Sequence, residues 1–285
     1  MRKIIFSILI ITAAVSSGGY ITAMAMLGGF DSIHGSSPLP QLIISDRKLH
    51  MDTSQDNFTF AVLGDMRWES PPRIAALEYA QSLKPDFMVN LADVTKYGRA
   101  DEWKKYISEL EQYWDQQLPY YHIPGGHSVN ARINGLKPAF YKHYFGKTYF
   151  RLDAGEYTLL FLDTFLGFFP ADELRWLRKQ LTETRDRKIL LFMHHPPYDK
   201  KQGITHALWR NSTDELSELI KEHDVKAIFA AHIHKTFEYE WSGIPVYITS
   251  LSETAGHGSP VTLRLVKAGE NSIAVSTHNT EVIMK

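Results

Sequence analysis

The 285-residue chain contains no cysteine. That absence excludes disulfides, zinc thiolates, iron–sulfur clusters, a cysteine nucleophile and a lipoprotein-type cysteine anchor. Any metal must be held by His, Asp, Glu, Asn or backbone oxygen, and 13 histidines are available for the task. Charge of one sign is also missing. The 31 Lys and Arg nearly balance the 32 Asp and Glu, and a net charge of −1 gives no electrostatic footprint for nucleic acid. There is no internal repeat and no low-complexity tract. What is present, 44% hydrophobic and 22% charged residues, is the make-up of a globular protein, with length for one large domain or two small ones.

One segment lacks charge almost entirely. After Arg2 and Lys3 no charged residue occurs until Asp31. Residues 1–30 are long and apolar enough to span a bilayer as a helix, and the basic start favours a cytoplasmic N-terminus, so a signal anchor is expected. The alternative is a signal peptide with "AMA" at 23–25 as its cleavage site. Either reading exports the remainder, to the periplasm or the cell exterior. Residues 31–56, with "HGSSPLPQ", read as a polar linker, and 57–285 read as one domain.

Within that domain, apolar strand-like runs recur at 58–64, 87–91, 120–123, 157–163, 188–193, 226–230, 245–249, 261–266 and 272–277. Helical patterns lie between the earlier runs, at 71–83, 100–114, 171–183 and 212–223. Trp103, Ile107, Leu110 and Trp114 form one apolar stripe, and Leu174, Leu177 and Leu181 another; both predict core packing. Ser212 or Thr213 is the expected cap of the last helix. Strands alternating with helices early and following one another late indicate a layered α/β protein.

Chemistry-bearing residues fall where strands end. "FAVLG" delivers Asp65, "FMVNL" delivers Asp93, "KILLFM" delivers His194 and His195, and "KAIFA" delivers His232 and His234. On a strand, residues two apart share a face and neighbours oppose; just past a strand end, a turn can bring both rings of "HIH" to one point. Ligands of open α/β sheets gather at the carboxyl ends of strands. A lone Asp there is usually a helix or turn cap, but several coincident strand ends favour a shared site.

The segments "GDMR" (64–67), "LADVTKYG" (91–98), "PGGHS" (124–128), "HHPP" (194–197) and "AHIH" (231–234), in this order, resemble the calcineurin-like metallophosphoesterase family. The resemblance spans Phe58 to Thr277 and implies a four-layer α/β/β/α sandwich. It also implies one or two divalent ions, with Mn, Fe or Zn suited to imidazole and carboxylate ligands. Asp65 and His234 would hold the first metal, His194 and His232 the second, and Asp93 would bridge. His127 would serve the leaving oxygen. The implied reaction is hydrolysis of a phosphomonoester or phosphodiester by a metal-activated hydroxide. The implied partner is a phosphorylated small molecule or a lipid head group, with the membrane contacted through the N-terminal segment.

Three positions depart from the family pattern. Arg67 replaces the His of G-D-x-H, Gly126 replaces the Asn of G-N-H, and Ser128 replaces the acid that usually follows. Arg67 cannot ligate a metal; it would either repel a cation or clamp phosphate with its guanidinium fork. Asn90 and Asn130 are candidates for the missing second-metal oxygen. Two functions follow: an exported metal-dependent phosphoesterase, or a catalytically impaired relative that binds a phosphorylated ligand or an envelope partner.

Overall fold

The computed structural model describes residues 57–66, 70–128, 139–251, 261–270 and 272–280. The leader, the linker, Arg67, Asn130 and His257 lie outside the described residues. Two mixed sheets form the centre. One carries β1 (Phe58–Leu63), β2 (Phe87–Asn90), β3 (Tyr120–His122), β10 (Val261–Ala268) and β11 (Ile273–Thr280) in the order β11-β10-β1-β2-β3. The other carries β4 (Phe150–Ala154), β5 (Tyr157–Phe161), β6 (Lys188–Phe192), β7 (Val225–Ala230), β8 (Phe237–Trp241) and β9 (Ile244–Ile248) in the order β4-β5-β6-β7-β9-β8. β1, β2 and β3 run parallel, as do β5, β6, β7 and β9, so their carboxyl ends share one edge in each sheet.

Helices α1 (Ser70–Ser82), α2 (Ala100–Tyr113) and α3 (Ala139–Phe145) cover the first sheet, and α4 (Ala171–Glu183) and α5 (Arg210–Ile220) cover the second. The period-two alternation of the strands separates the cores. Phe58, Phe60 and Val62 of β1 face the other sheet, whereas Ala61 and Leu63 face α1 and α2. On β5, Leu159 and Phe161 point between the sheets, and Leu160 points toward α4. The inter-sheet layer is an aromatic ladder: Phe161 stacks on Phe192 at 4.6 Å, Phe192 on Phe229 at 5.2 Å, and Phe60 meets Phe229 edge-on at 5.6 Å. The layering is therefore helix, sheet, sheet, helix.

Several expectations need adjustment. β4 and β8 were not legible as strands, nor α3 as a helix. Helix α5 begins at Arg210 with Trp209 as its N-cap residue. Ser212 and Thr213 are buried within its first turn, and the Thr213 hydroxyl accepts the backbone N–H of Tyr198 at 3.0 Å instead of capping. The predicted Trp103 stripe is buried core, and of the second stripe Leu177 and Leu181 are buried while Leu174 is half-buried against the same core.

His122 on β3 is the unusual core residue. Its ring lies 4.4 Å from Phe145 in a stacked arrangement, and both ring nitrogens are buried without a hydrogen-bond partner. Burial pushes its pKa down to about 3. The folded protein therefore keeps His122 neutral while the unfolded chain takes up a proton below about pH 6.5, so stability falls as pH drops from 6.5 towards 3. Replacing it, as in His122→Phe, is expected to flatten this slope by up to ~1.4 kcal/mol per pH unit. Denaturant titrations of both proteins between pH 7.5 and 4.5 check it; parallel slopes would refute the assignment.

Candidate functional site

The site forms where the parallel strands of both sheets end. Gly64 follows β1 where the chain passes close to the residues after β7 and β9: a Cβ there would lie 2.2 Å from the Thr249 carbonyl oxygen and 2.8 Å from the Ala231 Cβ. Only glycine fits, and the next residue, Asp65, is delivered to the seam. Past the strands the backbone turns sharply. Asp65, Ala92, Asp93, His232 and His234 all have positive φ, from 45° to 84°. Such conformations cost non-glycine residues about 1–3 kcal/mol each and cluster at functional sites.

Neighbouring side chains impose these turns. Asn90 accepts the N–H of Ala92 at 2.8 Å and donates to the hydroxyls of Tyr120 (2.6 Å) and Tyr106 (3.1 Å). Its oxygen thus supports the Ala92 backbone and its amide nitrogen is held by the two tyrosines, and Asn90 is in neither group of candidate ligand atoms. The buried guanidinium of Arg73 is paired with Glu109 (Nε to Oε2, 2.6 Å) and donates to the Val94 carbonyl at 2.9 Å, fixing the far side of the Asp93 turn. Thr164, at the end of β5, accepts the backbone N–H groups of both His194 and His195 at 3.0 Å. That shared acceptor bends the chain so that the two rings meet edge to face at 5.1 Å instead of parting to opposite faces.

The side chains that converge are Asp65, Asp93, His194, His195 and His232. Ligand atoms of Asp65, Asp93 and His194 lie within 4.8 Å of one another, and so do those of His194, His195 and His232. His194 Nε2 is 3.2 Å from Asp93 Oδ2 and 3.2 Å from His232 Nδ1. Its Nδ1 faces the Leu91 carbonyl at 2.8 Å. A carbonyl can only accept, so Nδ1 carries hydrogen and Nε2 is the ligand atom. His127 is placed beside this group: its N–H donates to Asp93 Oδ1 at 3.1 Å, and its Nδ1 donates to the Lys96 carbonyl at 2.6 Å. His234 belongs to neither cluster, and its link to the group is its charge interaction with Asp65.

Among the described residues the site is short of positive charge. Burial raises the pKa of Asp65, with the negative charge of Asp93 adding to it and His194 opposing. Its Oδ1 accepts the His232 N–H at 3.0 Å, but its Oδ2 is buried with no partner. Burial also works against ionised Asp93, yet the adjacent His194 and His127 outweigh it and hold the carboxyl below its usual range. For His194, burial is overcome by the charges of Asp93 and Asp65, and the pKa is carried up to about 9. Burial, then the charge of His194, pushes His195 down to about 3, and the same causes lower His232. The proton on His194 thus fills a place that a cation would compete for. An orphaned carboxylate oxygen, an unpartnered buried Nδ1 on His195 and imidazole nitrogens facing one another fit a divalent cation bound by nitrogen and oxygen.

Two residues here had no metal or catalytic role assigned from the sequence. His195 was named with His194 at its strand end but not as a ligand; His206, in the loop before α5, lies 3.0 Å from His232 between their Nε2 atoms.

A family model described as calcineurin-like phosphoesterase matches residues 58–236. The chain is 31% identical over 176 residues to a "Probable glycerophosphodiester phosphodiesterase GpdQ" of Arcobacter nitrofigilis, covering 57% of this chain and 62% of that protein. It is 31% identical over 177 residues to a "Probable cyclic nucleotide phosphodiesterase" of Fibrobacter succinogenes, covering 60% and 66%. The matches thus span just under two thirds of these relatives' lengths. Among solved structures, a dimetal phosphatase from Danio rerio superposes with a TM-score of 0.59 at 13% identity, over 79% of this chain and 98% of that one, a likeness of fold.

Two glycines make the site testable. A Cβ on Gly125 would sit 2.3 Å from Asp93 Oδ1, whereas a Cβ on Gly126 meets nothing nearer than the Phe165 carbonyl oxygen at 3.9 Å. Gly125→Ala is therefore expected to displace Asp93 and weaken Mn²⁺ binding by about 10- to 100-fold. Gly126→Asn is expected to fold normally and tighten it by adding an oxygen ligand. Calorimetric titration with Mn²⁺ decides; equal affinities in all three proteins would contradict the site.

Proposed function

The chain belongs to the calcineurin-like phosphoesterase family, and on that footing we propose that it is a metal-dependent hydrolase of phosphoric diesters. The observation that carries the reading is the buried constellation of Asp65, Asp93 and His194, with His195 and His232 against it. Asp93, His194 and His232 would hold one cation and Asp65, Asp93 and His234 a second; a bound divalent cation would lower the pKa of water and offset charge on phosphoryl oxygens.

The chain's own groups do the rest. In hydrolysis, water oxygen forms a bond to phosphorus, the opposite ester P–O bond breaks, and the leaving oxygen needs a proton. His127 suits that transfer: the Lys96 carbonyl holds its Nδ1–H, so in the doubly protonated ring Nε2 is the atom that would give its proton to the leaving oxygen, leaving the neutral Nδ1–H imidazole. Arg67 stands where the family has a ligand, and its fork of donors suits a phosphoryl oxygen pair.

The rim supports a substrate class. Among the described residues, Tyr97 and Trp209 are the exposed large hydrophobic side chains, at 49% and 58%. Tyr97 follows Lys96, which holds His127; Trp209 lies at a tilt to Phe168, ring centroids 4.9 Å apart, and follows His206 by three residues. Flat aromatic faces suit a nucleobase, which agrees with a relative named as a cyclic nucleotide phosphodiesterase. We therefore favour a nucleoside cyclic phosphate over a glycerophosphodiester. From the uncharged segment 4–30, we also propose that the domain works outside the cytoplasm.

With Mn²⁺ present, hydrolysis of 3′,5′-cyclic AMP is expected to exceed that of glycerophosphocholine, to stop on chelation, and to be abolished in Asp93→Ala. Trp209→Ala should raise KM for cyclic AMP about tenfold, the ~1.4 kcal/mol of one stacking contact, while KM for bis(nitrophenyl) phosphate changes little. Arg67→His should weaken inhibition by phosphate. Tight phosphate binding without turnover of any diester would replace this reading with a binding protein. In cell fractionation, the full-length chain is expected to stay with membranes through a carbonate wash; a soluble product beginning near Met26 would show cleavage instead.

A further inference from the structure

His206 lies outside the sequence motifs and carries no role in the reaction above. It sits in the loop between β6 and α5, and that loop is pinned on both sides of it. Asp199 and Ile204 exchange backbone hydrogen bonds at 2.9 and 2.7 Å, and the Leu208 N–H donates to the Pro196 carbonyl at 2.9 Å. Ile204 and Leu208 are buried, while His206 is exposed. Between these anchors the imidazole of His206 lies over that of His232, with ring centroids 4.0 Å apart and Nε2 to Nε2 at 3.0 Å.

Two imidazole nitrogens at that distance need one hydrogen between them, and its owner matters. The Nδ1 and Nε2 of one ring point away from each other. On His232, Nε2 faces His206, and Nδ1 faces His194 Nε2 at 3.2 Å, inside the cluster of candidate ligands. If the hydrogen belongs to His206, His232 in its neutral form carries its own on Nδ1, aimed into the cluster, and cannot offer a lone pair there. If it belongs to His232 Nε2, then His206 accepts it and Nδ1 is a lone pair beside His194 Nε2 and Asp93. His194 is fixed in the same way from its other side, by the Leu91 carbonyl. Metal-binding histidines are generally set by the partner of their second nitrogen.

We infer that His206 is a positioning residue: it accepts the Nε2 hydrogen of His232 and so locks the tautomer whose Nδ1 can bind a cation. The role rests on the reading that this cluster binds divalent cations. It also gives the loop at 199–209 a purpose at the site, since His206 is the group by which that loop reaches His232.

The test uses the full chain with ¹⁵N-labelled histidine, as wild type, His206→Gln and His206→Leu. Imidazole ¹⁵N spectra report the tautomer of His232 in cation-free protein and after Zn²⁺ addition, with the resonance assigned through His232→Asn. Zn²⁺ affinity is measured by chelator competition. Wild type should show hydrogen on Nε2 of His232. In His206→Leu that preference should be lost and Zn²⁺ affinity should fall about 10- to 100-fold. In His206→Gln the amide oxygen can accept the same hydrogen, and tautomer and affinity should return to near wild type. Unchanged tautomer and affinity in His206→Leu would overturn the inference. So would a His206→Gln protein as weak as His206→Leu with its tautomer intact, which would make His206 a direct ligand. Should wild type bind no Zn²⁺, the proposed function fails, while the spectra of cation-free protein still decide the role of His206.

Discussion

Two carboxylates buried side by side are the constraint around which this protein is arranged. Asp65 is fully buried and Asp93 nearly so, and removing such groups from water costs several kcal/mol each unless positive charge or donors replace the solvent. Part of the answer is backbone: the N–H of His232 serves Asp65, and that of His127 serves Asp93. The rest is His194, which reaches Asp93 and is held by Leu91 from behind. Among the described residues, one imidazolium against two carboxylates leaves a deficit, and Asp65 Oδ2, with no hydrogen-bond partner, marks where it falls. A cation would meet both requirements at once, so the electrostatics and the proposed chemistry have a common origin.

Holding those groups together requires backbone strain, and the fold supplies rigid material to resist it. The left-handed Ala92 and Asp93 turn is gripped on one side by Asn90 and its two tyrosines and on the other by Arg73. Asn90 and Arg73 are not among the grouped ligand atoms, yet both act on where Asp93 sits. The sheets converge at Gly64 because β1 has no side chain there to keep Thr249 away. The helix-covered outer faces are ordinary packing. The unusual requirements concentrate at the carboxyl ends of the strands.

Much of this was readable in advance. Strands buried on both faces show as continuous apolar runs, and β1, β2, β5, β6 and β7 were all visible in this way. β4 and β8 were not, because charge interrupts them. In β4, Arg151 and Asp153 alternate with buried Phe150, Leu152 and Ala154, and the two charged groups pair with each other at 2.7 Å on the outer side. β8 is an edge strand with glutamates turned outward. Short α3 packs aromatics into the core without a clear polar face. At the site, the residues following strand ends were legible because chain direction alone places them. His206 was not: it meets His232 across 26 residues, through a loop whose path depends on the Asp199 and Leu208 anchors. His195 was visible, but only the double use of Thr164 turns it inward.

The departures from the family pattern are unevenly spread. Gly126 removes an oxygen from the corner that Asp93, His194 and His232 share, and that corner is the one supplied with additional imidazoles. His195 lies 3.7 Å from the His232 ring on one side and His206 lies 4.0 Å from it on another. In the sequence pattern Arg67 stands at a ligand position of the metal that Asp65 would hold, and His234 is the histidine whose charge acts on Asp65. Loss of a neutral amide costs a metal site one donor, whereas replacing imidazole with guanidinium also adds a positive charge next to the place a cation would occupy. The two corners are therefore inequivalent by composition. The His194 and His232 corner keeps the donors and the neutral imidazoles that a tightly held cation needs. The Asp65 corner, which by sequence has lost an imidazole ligand, would hold a cation less tightly.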